Sequence, residues 1–400
     1  MASDKTRRPV IDTKHTPARR ALVIGGSLGG LFIGNLLRRI GWQVDIYERS
    51  PHALDSRGGG IVLQPEVIEV FRRLGIDAGE VELGVASRYR TVLEPDGTVR
   101  SRRFAPQMQT SWSLIYSRLR AAFGEAGYQQ GRTLVGIEQD AAAGTVTARF
   151  ADGSVETGDL LIGADGGNST VRQQIWPEAR PSYAGYLAWR GLVPESRMPE
   201  STRQMLAGDF GFANNRGSHI LGYLVPGEHN DTRPGHRFYN WVWYRVADAR
   251  MLAAVMTDRN GKARGYSVPE GLLDERWLAH LQQDAEALLP EPFRAIVAAT
   301  EQPFAQAIRD LASEHMVSGR IAILGDAGSI PRPHTAASTS KAAANALALA
   351  DALQSAPADI AAALARWEPA QVAYGKALRR QGTETGNLLL FHGAATAGAV

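Results

Sequence analysis

The sequence predicts a mixed α/β fold in which a parallel β-sheet with helices is interrupted by a second, mostly β domain. The apolar run Ala21–Ile24, the helical spacing of Leu31–Ile40 and the strand-like run Val44–Glu48 form one βαβ unit, the start of a parallel sheet. From about Tyr183, alternating aromatic strands replace this pattern. A buried-strand pattern returns at Ile321–Leu324, so the chain leaves the first domain, builds a second one and comes back.

Length and composition limit the classes of protein that this chain can belong to. With 400 residues, 44% of them hydrophobic, it can bury the cores of about two domains. The 44 Lys and Arg nearly balance 41 Asp and Glu, which gives no reason to expect a nucleic-acid partner. The absence of cysteine excludes disulfides, thiolate catalysis and cysteine-based metal sites.

The sequence carries no membrane or export signal that we can identify. No apolar run approaches the roughly 20 residues that a membrane span needs, so we expect no membrane partner. The polar, basic residues 1–19 lack the apolar core of a signal peptide and predict a disordered, solvated tail. A cytoplasmic enzyme fits these limits.

Further elements follow the βαβ unit in order. Val67–Leu74 and Leu114–Phe123 have helical spacing. A hairpin is predicted over Thr145–Val155, with its turn at Asp152-Gly153. Leu160–Ile162 is a short apolar run, which indicates another buried strand.

The second domain is predicted from three aromatic strands, and alanine-rich helices follow the return to the first domain. The strands are Tyr186–Leu192, Ile220–Val225 and Arg237–Val246, and the helices are Ser340–Leu353 and Ile360–Arg380. The expected organisation is a tail at 1–19, a nucleotide-binding domain at 20–182, a substrate-binding domain at 183–312, the return at 313–356 and C-terminal helices at 357–393.

The glycine loop Gly25–Gly30 between the first strand and helix predicts a dinucleotide-binding site. A turn this tight needs residues without side-chain clashes, and it directs backbone N–H groups and a helix N-terminus at a pyrophosphate. Ser27 stands where a second glycine is usual, and a hydroxyl there can still contact phosphate. Glu48 ends the second strand, where a carboxylate can accept hydrogen bonds from ribose hydroxyls.

Two later strands favour FAD over NAD, a choice that the glycine loop alone leaves open. One strand ends at Asp165-Gly166 and the other at Gly325-Asp326, and ligands bind at this edge of a parallel sheet. Asp326 can accept a hydrogen bond from a ribityl hydroxyl. The loop Pro331–Ser340 then leads into a helix whose N–H groups suit a second phosphate and the edge of a flavin ring.

The three motifs, in this order and spacing, resemble the aromatic-hydroxylase group of FAD monooxygenases, which includes para-hydroxybenzoate hydroxylase. The resemblance covers roughly Ala21 to Arg380. Within the group, the chain is most similar to the dihydroxypyridine hydroxylases. Four stretches carry that likeness: Gly60–Pro65, Tyr183–Tyr186 with Trp189–Gly191, Phe238–Tyr244 and Pro331–His334.

The resemblance implies a Rossmann-like FAD-binding domain with an inserted β-sheet substrate domain and C-terminal helices. It implies bound FAD, NAD(P)H as a transient reductant, and transfer of one oxygen atom from O2 through a flavin hydroperoxide to a small hydroxylated N-heteroaromatic, pyridine-like ring. It also suggests a homodimer. Two alternatives stay open: a phenol or natural-product hydroxylase of the same fold, and a flavin oxidoreductase that inserts no oxygen.

The chain departs from the wider family at positions that contact the flavin. Thr335 and Ser338 replace glycines of the flavin loop, Ser340 replaces an asparagine, and Tyr116 stands where an arginine contacts FAD. The complete set of expected cofactor contacts is Gly25, Ser27, Leu28, Gly30, Glu48, Arg49, Arg57, Gln64, Tyr116, Leu134, Asp165, Gly166, Gly325, Asp326, Pro333, Ala336 and Ala337.

The expected substrate contacts are aromatic and histidine side chains together with Pro333. His334 is the candidate catalytic residue, because by the resemblance it follows Pro333 at the flavin face and histidine titrates near neutrality; the alternative is that it only packs or caps a helix. Arg190 either anchors an acidic substituent or pairs with a carboxylate. The strands supply the other expected contacts, which otherwise belong to the core: Trp189, His219, Tyr223 and Trp243.

Overall fold

A computed structural model of the chain describes residues 18–54, 59–76 and 83–392. Its strands, numbered in chain order, are β1 Arg20–Ile24, β2 Gln43–Tyr47, β3 Gly60–Val62, β4 Val85–Leu93, β5 Val99–Ser111, β6 Tyr128–Gln129, β7 Leu134–Asp140, β8 Thr145–Phe150, β9 Val155–Gly158, β10 Leu160–Gly163, β11 Ser182–Pro194, β12 Asp209–Asn215, β13 Ser218–Val225, β14 Phe238–Val246, β15 Ser267–Val268, β16 Phe304–Ala312, β17 Val317–Ser318, β18 Ile321–Ile323 and β19 Ser329–Ile330.

The helices of the described residues are numbered in the same way. They are α1 Leu28–Arg39, α2 Pro65–Leu74, α3 Trp112–Phe123, α4 Thr170–Ile175, α5 Glu200–Leu206, α6 Ala249–Val255, α7 Glu275–Leu288, α8 Glu291–Ala298, α9 Ser338–Ser355 and α10 Ile360–Leu390.

The first sheet contains the predicted βαβ unit. Its strand order is β17-β18-β10-β1-β2-β6, and all neighbours are parallel except β17 and β18. Strands β1, β10 and β18 are buried on both faces, because helices cover the sheet; this is why their sequences are continuous apolar runs. The parallel strands β1, β10 and β18 bring Gly25, Ala164 and Leu324 to the same edge.

The second sheet is larger than the sequence predicted. Its order is β15-β16-β11-β14-β13-β12-β4-β5-β3, with β19 paired to β16. Strands β3, β4 and β5 come from residues 20–182, the segment expected to belong wholly to the first domain. The sequence prediction missed β5 because most of this strand is exposed, so its side chains do not alternate between apolar and polar.

The large sheet has two different faces. Helices α5 to α8 cover one face and bury a core that includes Trp189, Trp241 and Trp243. Side chains at the alternate positions, such as Arg190 and Tyr244, point to the opposite face, because successive residues of a strand face opposite sides. That opposite face is turned toward the first sheet.

A buried ion pair joins the large sheet to the loop that follows β19. Arg332 donates through Nε to both carboxylate oxygens of Asp310 at 3.0 Å and through Nη2 at 2.8 Å, and each side chain is only 7% exposed. Its Nη1 donates to Oδ1 of Asn387 at 2.9 Å. Asn387 lies on α10, which extends ten residues beyond the predicted end at Arg380. One guanidinium thus connects β16, the loop and the C-terminal helix.

We predict that Arg332→Met lowers the free energy of unfolding by about 3–5 kcal/mol, because the substitution leaves the Asp310 carboxylate buried without its counterion. Urea unfolding of the ligand-free protein measures the loss. The double variant Arg332→Met with Asp310→Leu removes both charges and should recover most of the stability. A single variant no less stable than the double variant would contradict the assignment.

Candidate active site

A cavity of about 610 Å³ lies between the two sheets. We call its two groups of lining residues the nucleotide side and the aromatic side. The nucleotide side comes from the strand ends of the first sheet and from the loops beside them: Gly25, Ser27, Leu28, Glu48, Arg49, Leu134, Asp165, Gly166, Gly325, Asp326, Pro333, Ala336 and Ala337. The aromatic side is formed by Trp112, Tyr266 and large-sheet residues: Arg190, Phe210, Leu221, Tyr223, Val242, Tyr244 and Gln306.

The glycine loop brings the first turn of α1 to the cavity. Gly25 has φ +107°, and a Cβ there would lie 2.4 Å from the carbonyl oxygen of Ala164. A Cβ on Gly30 would lie 1.9 Å from the carbonyl oxygen of Gly25, so Gly30 keeps the loop tight without lining the cavity. Ser27 is the N-cap of α1, but its side chain makes no capping bond. The free N–H groups of this turn favour an anion.

Glu48 lies where a ribose-binding carboxylate is expected. It is 7% exposed, its Oε2 accepts a hydrogen bond from the Gly26 N–H at 2.9 Å, and its Oε1 accepts one from the Ser50 N–H at 2.8 Å. Each oxygen keeps a lone pair for a ligand hydroxyl. The two backbone bonds hold the carboxylate at the cavity wall.

Asp165 stabilises the protein instead of offering its carboxylate to a ligand. Its Oδ1 accepts from the Ser169 hydroxyl at 2.5 Å, and its Oδ2 accepts from the N–H groups of Thr170 and Val171 at 2.6 and 3.1 Å. Burial raises the pKa of Asp165, and these hydrogen bonds oppose that rise. What Asp165 and Gly166 present to the cavity is therefore mainly backbone.

Asp326 has one carboxylate oxygen free. Its Oδ1 accepts from the Ser338 hydroxyl at 2.8 Å and from the Lys341 ammonium at 3.1 Å, and its side chain is 40% exposed. Lys341 is fully buried and also donates to the carbonyl groups of Gly325, at 2.9 Å, and Ser329. The sequence reasoning missed Lys341, although a lone lysine in an alanine-rich helix was a visible signal. Because Ser338 and Lys341 both bond to Oδ1, Oδ2 of Asp326 remains available to a ligand hydroxyl.

A second helix N-terminus faces the cavity at α9. The N-cap Ala337 has no capping side chain, so the first N–H groups of the helix are again available to an anion or a carbonyl oxygen. The preceding residue, Ala336, has φ +51°, a conformation that favours glycine. Pro333 completes this part of the wall.

The aromatic side carries two tyrosine hydroxyls without a protein partner. Tyr223 is 5% and Tyr244 is 3% exposed, and no residue in the described parts of the chain forms a hydrogen bond with either hydroxyl. Burial raises the pKa of Tyr223 to about 12 and also raises the pKa of Tyr244, while the Arg190 charge opposes both shifts. Both phenols are therefore protonated at neutral pH and can donate hydrogen bonds.

The expectation that Trp189 and Trp243 contact the substrate is wrong. Both are at most 1% exposed and pack in the core beneath α5 to α8, and the Trp243 indole N–H donates to the Ser218 hydroxyl at 2.7 Å. The physical reason is the strand alternation, which turns the neighbouring Arg190 and Tyr244 to the cavity instead.

His219 and His334 lie behind the cavity wall. The Nε2 of His334 is 2.9 Å from the Tyr186 hydroxyl, and the ring centre of His334 lies 4.6 Å from that of Tyr244. The His219 ring is nearly parallel to that of Tyr244, with ring centres 5.8 Å apart, and its Nδ1 pairs with Oδ1 of Asn214. Burial lowers the pKa of His219 to about 4 and lowers that of His334 well below its usual value. Both imidazoles are thus neutral, and the catalytic role of His334 stays a prediction.

Besides Gly30, two further expected cofactor residues, Gln64 and Tyr116, do not line the cavity. Gln64 is the N-cap of α2 and does not line the cavity. Tyr116 is buried, and its hydroxyl pairs with that of Tyr128 at 3.2 Å; α3 directs it into the first core. Arg57 lies outside the described residues.

Neither a metal site nor a membrane helix was found among the described residues. Across residues 18–54, 59–76 and 83–392, no three His, Asp or Glu side chains cluster in a way that could hold a metal ion. Within the same residues, no helix combines the length and the apolar character needed to cross a bilayer.

Comparison with known proteins connects this geometry to a cofactor. Residues 183–310 match the family model described as "FAD binding domain-like". The 2,6-dihydroxypyridine 3-monooxygenase of Paenarthrobacter nicotinovorans is 34% identical over 361 residues, which cover 90% of this chain and 88% of that enzyme. The chain belongs to the family of FAD-dependent monooxygenases.

A solved structure and a second family member agree with this assignment. The structure of 2,6-dihydroxypyridine-3-hydroxylase from Arthrobacter nicotinovorans superimposes with a TM-score of 0.89 and 32% identity, covering 96% of this chain and 95% of that one. The 6-hydroxynicotinate 3-monooxygenase of Pseudomonas fluorescens is 26% identical, covering 79% of this chain and 78% of that enzyme. The predicted family, α/β fold and FAD cofactor are thereby confirmed.

The residues of the nucleotide side fit FAD. The N-terminus of α1 suits the pyrophosphate, Glu48 suits the ribose, and Oδ2 of Asp326 suits a ribityl hydroxyl. The N-terminus of α9 suits a flavin carbonyl oxygen. Bound FAD would supply the redox chemistry, accepting electrons from NAD(P)H and reacting with O2 to oxygenate an aromatic ring.

We predict that Gly25→Ala weakens FAD binding tenfold or more, because the added Cβ meets the Ala164 carbonyl and the positive φ strains alanine. Titration of the FAD-free protein with FAD, followed by flavin fluorescence, measures the effect. Gly153→Ala is the matched control: Gly153 also has a positive φ, but a Cβ there has open space. Equal FAD affinities of the two variants would contradict the assigned loop role.

Proposed function

We propose that the chain hydroxylates a small N-heteroaromatic ring that carries oxygen substituents, with NAD(P)H as the reductant. The observation that supports this proposal is the aromatic side of the cavity, where the hydroxyls of Tyr223 and Tyr244 have no hydrogen-bond partner among the described residues. The two relatives named above act on 2,6-dihydroxypyridine and 6-hydroxynicotinate, which are rings of this kind.

The aromatic side combines apolar walls with hydrogen-bond donors. Phe210, Leu221 and Val242 offer apolar contacts to a flat ring. The two phenols donate hydrogen bonds to ring oxygens or to a ring nitrogen, which fixes the ring position that faces the flavin. A ring without such acceptors leaves both buried hydroxyls unpaired, and this cost favours oxygen-bearing substrates.

Three further properties complete the proposal. We propose a homodimer located in the cytoplasm. We also propose that His334 contributes to the reaction indirectly, by positioning Tyr244. The His334 imidazole packs against this tyrosine and does not itself line the cavity. Sedimentation velocity of the FAD-loaded protein tests the dimer.

We predict that 2,6-dihydroxypyridine and 6-hydroxynicotinate accelerate NAD(P)H oxidation by the FAD-loaded enzyme, with one atom of isotopically labelled O2 in the product. The control is a matched panel of phenols without a ring nitrogen, with hydrogen peroxide measured as uncoupled turnover. Preference for the phenols would indicate a phenol hydroxylase of the same fold. A product that lacks the label would indicate an oxidoreductase without oxygen insertion.

We predict that Tyr223→Phe and Tyr244→Phe each lower kcat/KM for the preferred ring about tenfold or more, because each removes one donor to the ring. Steady-state kinetics measure the change. Tyr239→Phe is the matched control, since the Tyr239 hydroxyl is also buried without a partner but lies in the core under the helices. If all three variants lose activity equally, the phenols do not bind the ring.

A further inference from the structure

Arg190 is a cation on the aromatic side that has no carboxylate partner in the part of the chain that the structure describes. It is half-buried on β11, and its Nη1 donates to the amide oxygen of Gln306 at 3.2 Å. Its Nε is buried without a hydrogen-bond partner. Within the described residues no carboxylate lies within ion-pair distance of Arg190, whereas arginines elsewhere in the protein, such as Arg332 and Arg237, have one.

The acidic groups that line the cavity are on the nucleotide side. Glu48 and Asp165 are held by backbone N–H groups, and Asp326 is held by Lys341. A second cation, Arg309, stands behind the aromatic side: its guanidinium lies 4.0 Å from the Tyr266 ring centre and donates to Asn168. Asp326 acts on Arg309 through its charge, so Arg190 is the cation of the aromatic side that no acidic side chain among the described lining residues balances.

Gln306 lies where a glutamate would neutralise Arg190. A neutral amide accepts one hydrogen bond but leaves the guanidinium without a counterion. A guanidinium that is partly removed from water favours binding of an anion in the cavity. The reason is that hydrogen bonds between charged groups are stronger in a protein interior than in water. Tyr223 and Tyr244 are close enough to Arg190 for its charge to oppose the rise in their pKa values. The guanidinium and the two phenols thus form one set of donors.

We propose that Arg190 binds an anionic oxygen of the substrate ring, so that the enzyme selects rings that carry a negative charge. The charge is either a ring oxide or a carboxylate attached to the ring. This inference rests on the proposed function, because it identifies the charge of the ring that the aromatic side accepts. Arg190 selects the ligand, and Gln306 keeps the guanidinium available by not neutralising it.

Binding to the FAD-loaded enzyme tests the inference without turnover. Two matched ligand pairs are titrated in mildly alkaline buffer, and the change in flavin absorbance gives each Kd. The carboxylate pair is 6-hydroxynicotinate and the neutral 6-hydroxynicotinamide. The ring-oxide pair is the acidic 2,6-dihydroxypyridine and the neutral 2,6-dimethoxypyridine, which keeps both ring oxygens as acceptors. The pair in which the anion binds more tightly identifies the source of the charge.

The variants separate charge from shape. Arg190→Gln should weaken binding of the anionic ligand about 10- to 100-fold and leave its neutral partner within about threefold. Gln306→Glu should weaken the same anion while the guanidinium stays in place, because the new carboxylate pairs with it. Arg216→Gln, at an exposed position on the turn between β12 and β13, controls for the loss of one positive charge.

Two results would overturn the inference. One is that Arg190→Gln weakens charged and neutral ligands equally. The other is that it weakens FAD itself, which would assign Arg190 to the cofactor. Failure of the proposed function is distinguishable, because an enzyme that hydroxylates none of these rings can still discriminate anionic from neutral ligands in the titration.

Discussion

The alternation of side chains across the large sheet is the constraint on which the site depends. Strands β11, β13 and β14 bury one face against α5 to α8, and their other face carries residues that line the cavity. A shift of register by one residue would bring Trp189 and Trp243 into the cavity and bury Arg190 and Tyr244 in an apolar core. Burial of that arginine without a counterion would be costly, so stability of the core and chemistry of the site require the same register.

The nucleotide side depends on helix N-termini and not on strand alternation. Two helices, α1 and α9, begin at the cavity without capping side chains, and their free N–H groups provide positive potential without a charged residue. Glu48 and Asp326 add acceptors whose orientation is set by protein hydrogen bonds. The orientation of the Asp326 carboxylate depends on the buried Lys341. The Lys341 ammonium also donates to the carbonyl groups of Gly325 and Ser329 and so joins these two turns. These contacts preorganise the site for a dinucleotide.

The two sides of the cavity differ in charge, and this difference connects the proposals. The nucleotide side has three carboxylates with protein partners beside the cations Arg49 and Arg132, whereas the described aromatic side has Arg190, two protonated phenols and the amide of Gln306 but no carboxylate. A ring that bears negative charge satisfies these donors, and such a ring is also rich in electrons, as oxygen transfer requires. His334 and His219 support Tyr244 from behind, and their lowered pKa values keep further charge away from this wall.

The sequence by itself determined the βαβ unit, the glycine loop with Glu48, the strand that ends at Asp326 and the family resemblance, because these depend on residues close together in the chain. The strand alternation was also visible, but it does not say which face meets helices and which meets a ligand. Only the tertiary structure decided that Tyr223 and Arg190 line the cavity while the tryptophans do not, that β4 and β5 join the large sheet, and that Lys341 holds Asp326. Those outcomes depend on which distant elements cover each face, and no local pattern contains that information.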